Sequence, residues 1–373
     1  MILWTLLMVA VLILALLGIL YLIKRAQRFS CIKRLSNGKK LRLYLFSTPI
    51  VLVPIIFMSA FWGTINAEIC ILYLIVIWLI LDGIFSILQK KKRQTFKHYY
   101  AGILAILITV IYLSAGWWSA HNVWQTNYTI HTDKKVGHLK IALISDSHTG
   151  TTFHGAGFAK WMKQIEKQKP DILVITGDFV DDDTTKEDML STCQTLGKMK
   201  TTYGIYYVFG NHDKGYNLPE YRGYSGDDLV AELKKNGVHV LEDDVVPIAD
   251  GYDLIGRQDR SEEYKNGRAS MNELVSGIDK KKFSIVLDHQ PNDYENQAKA
   301  NVDLVLSGHT HGGQLFPLMH IENLTGLGGD DKVYGYEKRN HTNFIVTSGI
   351  SDWAIKFKTG CKSEYVMIDV LGK

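Results

Sequence analysis

Two regimes of hydrophobic patterning divide this chain. Before residue 119 the apolar positions run in long blocks, at 2–23, 43–62, 69–88 and 99–118. Each block reaches the ~20 residues that a helix needs to cross a hydrocarbon core, so four transmembrane helices are expected. The first block has no basic region ahead of it and no clear small-residue cleavage site behind it, and it reads as a retained anchor. Beyond the fourth block, short apolar runs alternate with amphipathic stretches. Runs at 139–144, 171–176, 205–209, 283–287, 302–306, 343–347 and 364–370 read as strands, and 158–168, 186–199 and 227–235 as helices. Segments 214–226 and 318–341, rich in Gly, Tyr and polar residues, read as long loops. The pattern predicts an α/β domain of two packed sheets flanked by helices over 136–373, preceded by a membrane region over 1–119.

Charge sharpens this division. The net +4 of the 373 residues conceals 13 Lys/Arg against only Glu68 and Asp82 before residue 119, and 29 basic against 36 acidic residues after it. Eight of the 13 fill the loop after the first block and five the loop after the third. Cytoplasmic loops retain Lys and Arg, so both loops are expected inside, and an even number of spans places everything after Trp118 outside the cytoplasm. A multi-pass plasma-membrane protein with an extracytoplasmic domain is the expectation. The soluble half, at −7, offers no evident basic track for a polyanion, and nucleic acid is not an expected partner. Asp82 is the only acid well inside a span; with no second intramembrane charge to pair with, it is expected to reach the interface or cap a helix, not to serve transport. The four cysteines have no CxxC spacing, and Cys193 and Cys361 could form at most one disulfide in the soluble half.

The candidate chemistry sits at strand ends. The run 139–144 is followed by Asp146 and His148, 171–176 by Asp178, 205–209 by Asn211, His212 and Asp213, 283–287 by Asp288 and His289, and 302–306 by His309 and His311. Groups distant in sequence converge at the carboxyl ends of strands in α/β sheets. Asp146 and His148 are two apart and, on an extended segment, would share one side; His309 and His311 repeat the spacing, with glycines at 308, 312 and 313. Nitrogen and oxygen donors without thiolate fit Mn, Fe or Zn better than Mg. Two such cations would acidify a water and stabilise charge in phosphoester hydrolysis.

The blocks ISDSH (144–148), GD (177–178), GNHD (210–213), DHQP (288–291) and GHTH (308–311) resemble the calcineurin-like metallophosphoesterases, and the segments GHTHGGQ and TSGISDWAIKFKTGCKSEYVMIDV are similar to a membrane-associated bacterial branch of that family. The resemblance implies a four-layer αββα sandwich with two divalent metal ions. Asp146, His148, Asp178 and His311 would hold one, and Asp178, Asn211, His289 and His309 the other. It further implies that His212 contacts the substrate phosphate and protonates the leaving oxygen, with Asp213 holding its imidazole. Two positions depart from the family pattern: Asp288 replaces a small residue, and Lys356 stands where Arg is common. His154, His239, His320 and His341 lie outside the motifs and read as surface or packing residues.

The expected activity is metal-dependent hydrolysis of a phosphomonoester or phosphodiester, as a phosphatase or phosphodiesterase, with an envelope or lipid-linked substrate favoured by the membrane attachment. The competing reading is a catalytically silent scaffold or sensor of the same fold, against which an intact set of seven ligand-type residues argues.

Overall fold

The computed structural model describes residues 2–93, 96–263, 267–326 and 328–373, with side chains from residue 13 onward. The chain divides into two compact units, Met1–Ala115 and Gly116–Lys373.

In the first unit, three helices among the described residues are long and apolar enough to cross a membrane: Lys40–Trp62, Thr64–Lys92 and Tyr100–His121, the last of which runs on into the second unit. The first expected span falls within the helix Ile2–Ala26, and the side chains of its first half lie outside the described residues. Asp82 departs from the expectation. Its carboxylate accepts hydrogen bonds from Tyr99 Oη (2.7 Å) and Tyr21 Oη (2.9 Å), and Arg25 Nε lies 2.8 Å away. Arg25 closes the first helix, and its long side chain reaches a carboxylate that sequence position alone leaves unpartnered.

The second unit holds two six-stranded sheets. Its strands are β1 (Val123–His131), β2 (His138–Ile144), β3 (Ile172–Thr176), β4 (Ile205–Val208), β5 (Val238–Val240), β6 (Asp244–Ala249), β7 (Tyr252–Gly256), β8 (Phe283–Leu287), β9 (Leu304–Ser307), β10 (Gly335–Arg339), β11 (Thr342–Val346) and β12 (Ser363–Leu371). One sheet has the order β1-β12-β2-β3-β4-β5 and the other β10-β11-β9-β8-β7-β6. The strands that deliver the motifs pair in parallel, β2 with β3, β3 with β4, and β7 through β9 in turn, so their carboxyl ends share one rim.

Period-2 alternation explains the layers. Leu139, Ile141 and Leu143 of β2 face the core between the sheets together with Ile285 and Leu287 of β8 and Leu304 and Leu306 of β9. Ala142 and Ile144 turn to the other face, where Phe158, Met162, Met189 and Leu229 of three helices cover them. On the far side Val286, Val305 and Phe344 pack against Met271 and Tyr294. The result is the expected αββα sandwich.

The two expected loops are partly ordered. Segment 214–226 contains the short helix Pro219–Arg222, and 318–341 contains the helix Leu318–Thr325 and β10. Five strands carry no signal in the reading of the apolar runs: β1, β5, β6, β7 and β10. Strand β1 alternates buried and exposed positions with polar residues on its open side, and β10 is a polar hairpin edge.

Candidate metal centre

The candidate ligands and His212 from the five motifs come together at the shared rim, though not by the expected local geometry. Asp146 (φ 55°), His148 (φ 33°), Asp178 (φ 50°), His309 (φ 72°) and His311 (φ 49°) are all left-handed. The two-residue spacing therefore works through successive turns and not through an extended segment. Such conformations cost of order 1–3 kcal/mol each in a non-glycine residue and persist where surroundings impose them. Here those surroundings include backbone approach: a Cβ on Gly210 would sit 2.2 Å from Asp178 Oδ1, and one on Gly308 would sit 2.4 Å from Asp146 Oδ2.

Two clusters result. Asp146, His148 and His311 each offer a donor atom within 4.8 Å of the others, and so do Asp178, His289 and His309; either group could hold a metal ion. Asp178 joins them, because its Oδ2 lies 3.2 Å from His289 Nε2 and 3.5 Å from His148 Nε2. Asn211 Oδ1 is 3.2 Å from His289 Nε2, which places the amide oxygen in the second cluster.

The second layer fixes the rings. His289 Nδ1 donates to Thr176 O (2.7 Å), so in the neutral imidazole the Nε2 lone pair faces two oxygens, those of Asp178 and Asn211. Only a proton or a cation between them makes that arrangement favourable. His148 Nδ1 pairs with Asp181 Oδ2 (3.1 Å), leaving its Nε2 buried and without a hydrogen-bond partner. His309 Nδ1 and His311 Nδ1 are buried and unpartnered as well. Orphaned imidazole nitrogens beside buried carboxylates fit divalent cations with mixed nitrogen and oxygen ligands.

Electrostatics follow from this crowding. Burial pushes the Asp178 carboxyl upward, but His289, by charge and by hydrogen bond, and then His148 and His212 override it and hold it well below the usual carboxylate range. Burial and the adjacent His289 drive the His309 imidazole down to about 4. Burial also lowers His212, against the pull of Asp178.

His212 lies at the open side, its ring 5.1 Å from His148, 5.0 Å from Tyr216 and 5.2 Å from Trp353 between centroids. The expected support from Asp213 is not what its carboxylate provides. Its two oxygens accept from the backbone N–H groups of Asp178, Phe179, Val180 and Gly210 at 2.7–3.0 Å, which fixes the turns that carry Asp178 and Asn211. Adjacency in sequence gives no direction for a side chain, and here it points inward.

The departure at Asp288 also resolves. Its buried carboxylate accepts from Arg257 Nη1 (2.8 Å), Arg268 Nη2 (2.5 Å) and Gln297 Nε2 (2.7 Å), so the added charge is matched within the fold. Asp181, Arg257 and Trp353 are the participants that motif reading missed; for Asp181 the signal was its place three residues after Asp178 on the same strand-end turn. Outside the motifs, His154 pairs with Asp188 and His239 stacks on Tyr206, as surface and packing residues do. Cys193 and Cys361 are both free thiols.

Residues 139–313 match the family described as calcineurin-like phosphoesterase. An uncharacterized metallophosphoesterase of Aquifex aeolicus is 35% identical over 193 residues, covering 51% of this chain and 70% of its own length. The chain belongs to the calcineurin-like metallophosphoesterase family. A second family member, from Campylobacter jejuni, is 28% identical over 313 residues, covering 82% of this chain and 79% of that protein. A transmembrane protein with a metallophosphoesterase domain from Danio rerio is 28% identical over 246 residues, covering 62% of this chain and 52% of its own.

Proposed function

We propose that this chain is a membrane-anchored phosphoester hydrolase with a two-cation centre, acting outside the cytoplasm on a phosphomonoester or phosphodiester. The observation that carries this reading is the position of Asp178 Oδ2 between His289 Nε2 and His148 Nε2, one from each cluster. In this reading Asp146, His148, Asp178 and His311 hold one cation, and Asp178, Asn211, His289 and His309 the other. Mn, Fe or Zn suits the donor set. Two such cations would supply positive charge for the phosphoryl oxygens and acidify a water.

The protein's own groups do the rest. The amides bound by Asp213 hold Asp178 and Asn211 in place before substrate arrives, so little reorganisation is needed during reaction. His212, half-buried on the open side, is within reach of a phosphoryl group at the centre and donates its proton to the leaving oxygen. Burial lowers its basicity, and an anionic phosphate beside it favours the protonated form again. Tyr216 and Trp353 shield the imidazole from bulk water on two sides.

The anchor favours a substrate that is itself in or near the membrane, a lipid-linked or envelope phosphoester. The Lys/Arg-rich loops after the first and third spans support an extracytoplasmic domain.

The test is hydrolysis of p-nitrophenyl phosphate and bis-p-nitrophenyl phosphate by the purified full chain with Mn, Zn, Fe or chelator. Metal-dependent turnover that disappears in Asp178→Asn and falls roughly 100-fold or more in His212→Ala is expected. Full metal loading with no turnover of either ester, or of a lipid phosphoester, would overturn the hydrolase reading. A C-terminal alkaline-phosphatase fusion that is inactive in cells would overturn the orientation.

A further inference from the structure

The helix Leu318–Thr325 is built inside out. It follows the His309/His311 turn by only a few residues, yet none of its own residues is buried. Leu318, Ile321 and Leu324 recur at helical spacing on one face and are 42%, 40% and 86% exposed. Phe316, just ahead of it, is 51% exposed. Its inner side is held by Gly313, whose absent side chain leaves room for Met319; a Cβ there would lie 2.6 Å from the Met319 Cα. A soluble domain ordinarily turns such an apolar face inward, and an outward one marks an interaction surface.

The place of this helix in the fold says what covers it. Phe316 N donates to Thr359 Oγ1 (3.0 Å), and Thr359 N donates to Gln314 O (2.9 Å). The next residue back, Lys358, donates through its N–H to Gly116 O (3.0 Å), and a Cβ on Gly116 would lie 2.6 Å from Thr359 Cγ2. Gly116 opens the last six residues of the apolar helix Tyr100–His121. The turn that starts the exposed helix is therefore tied, through one loop, to the carboxyl end of the last apolar helix, residues 116–121 of the same unit. Trp117 and Trp118, 42% and 59% exposed, stand at that point as interfacial aromatics do. The same loop, 352–360, also carries Trp353, which contacts His212.

We infer that the apolar face Leu318/Ile321/Leu324 lies in the headgroup and acyl boundary of the membrane that anchors the chain, and forms the entry side of the metal centre for a phosphoester carried on a lipid. The docking part stands on the geometry alone; the lipid substrate rests on the hydrolase reading above. A helix of this kind buries its apolar face about 5–10 Å into the boundary region, with its polar face outward. On the side away from the apolar row lie Met319, against Gly313, and Asn323, whose Oδ1 accepts from Val333 N (3.2 Å), so that side of the helix is held by the domain. An ester whose acyl chains stay in the bilayer would present its phosphate at the rim formed by Trp353 and Tyr216, beside His212.

The experiment uses the full chain reconstituted in phospholipid vesicles with brominated acyl chains, in a Cys31→Ser background that removes the exposed native thiol. An environment-sensitive fluorophore is placed by Leu324→Cys or, as the control, Lys280→Cys at an exposed position of the same unit. Quenching of the Leu324 label at least roughly threefold above the Lys280 label is expected for a residue at acyl depth. Equal quenching at the two sites overturns the docking. In parallel, the Ile321→Asp/Leu324→Asp protein is compared with wild type on a vesicle-embedded phosphodiester and on soluble bis-p-nitrophenyl phosphate. A KM increase of roughly tenfold for the embedded ester, with the soluble ester unchanged, is expected from the loss of two apolar anchors. Equal effects on both esters overturn the entry role. Wild-type protein inert on both esters overturns the hydrolase reading and with it the substrate assignment, while the quenching result still decides the docking.

Discussion

Arg257 and Asp288 form a buried ion pair, 2.8 Å apart, at the adjacent ends of β7 and β8 and one residue before the imidazole of His289. The pair is 3% and 0% exposed, and Arg268 completes it on the other carboxylate oxygen. Arg257 Nη1 also lies 2.8 Å from Asp293, so removing Asp288 leaves two buried guanidinium groups with one carboxylate between them, a stranded charge that costs about 3–5 kcal/mol. Asp288→Ala is therefore expected to lower the unfolding free energy of the second unit by that amount, measured by denaturant titration of the detergent-solubilised chain. A change below about 1 kcal/mol would show that the guanidinium groups reach water once the carboxylate is gone.

Asp213 offers a cleaner separation of folding from chemistry. Its carboxylate binds four backbone amides that hold the Asp178 and Asn211 turns. Asn in its place presents one amide NH₂ against N–H donors, so Asp213→Asn is expected to cost about 3–5 kcal/mol and to lose metal as well as turnover. His212→Ala, by contrast, should retain metal and stability while losing rate. Equal metal content and equal melting temperature in the two variants would refute this division of labour.

Metal removal should be felt by the whole sandwich. Asp146 and Asp178 are 0% and 1% exposed, and a cation at each cluster offsets the cost of holding them there. Ligand at about 1,000 times its dissociation constant stabilises by about 4 kcal/mol. For a unit of this size that corresponds to a melting temperature on the order of 10 °C higher than with chelator. Identical melting curves with and without chelator would mean that the clusters hold no ion.

In the first unit, Asp82→Ala is expected to destabilise by about 1–3 kcal/mol, because Arg25, Tyr21 and Tyr99 all lose their common acceptor. Earlier loss of intrinsic fluorescence from Trp78, which donates to Tyr99 Oη, is the readout. A protein melting like wild type would count against the network.

What was legible in the sequence follows from where burial is two-sided. Strands β2, β3, β8 and β9 are covered on both faces and appear as unbroken apolar runs ended by polar ligands, so both their place and their chemistry could be read. Strand β1, half open to solvent, mixes Gln, Thr and Asn with its apolar positions and resembles a linker. The helix Leu318–Thr325 hides for the opposite reason, since its apolar residues face outward. The ligand set was readable from motif order, but the left-handed turns that align it were not, because no residue type announces φ > 0 as strongly as glycine does. Nor could adjacency reveal that Asp213 turns away from His212.

The register of the first sheet also sets a timetable for synthesis. Strand β12, late in the chain, lies between β1 and β2, pairing in parallel with one from Val123↔Ser363 to His131↔Leu371 and antiparallel with the other. As the polypeptide grows, β1 and β2 emerge early and wait with open edges while the 218 residues between β2 and β12 are added. Unpaired edges are templates for the wrong partner. The nascent domain thus passes through a window of edge exposure that closes only when the last strand of the chain arrives.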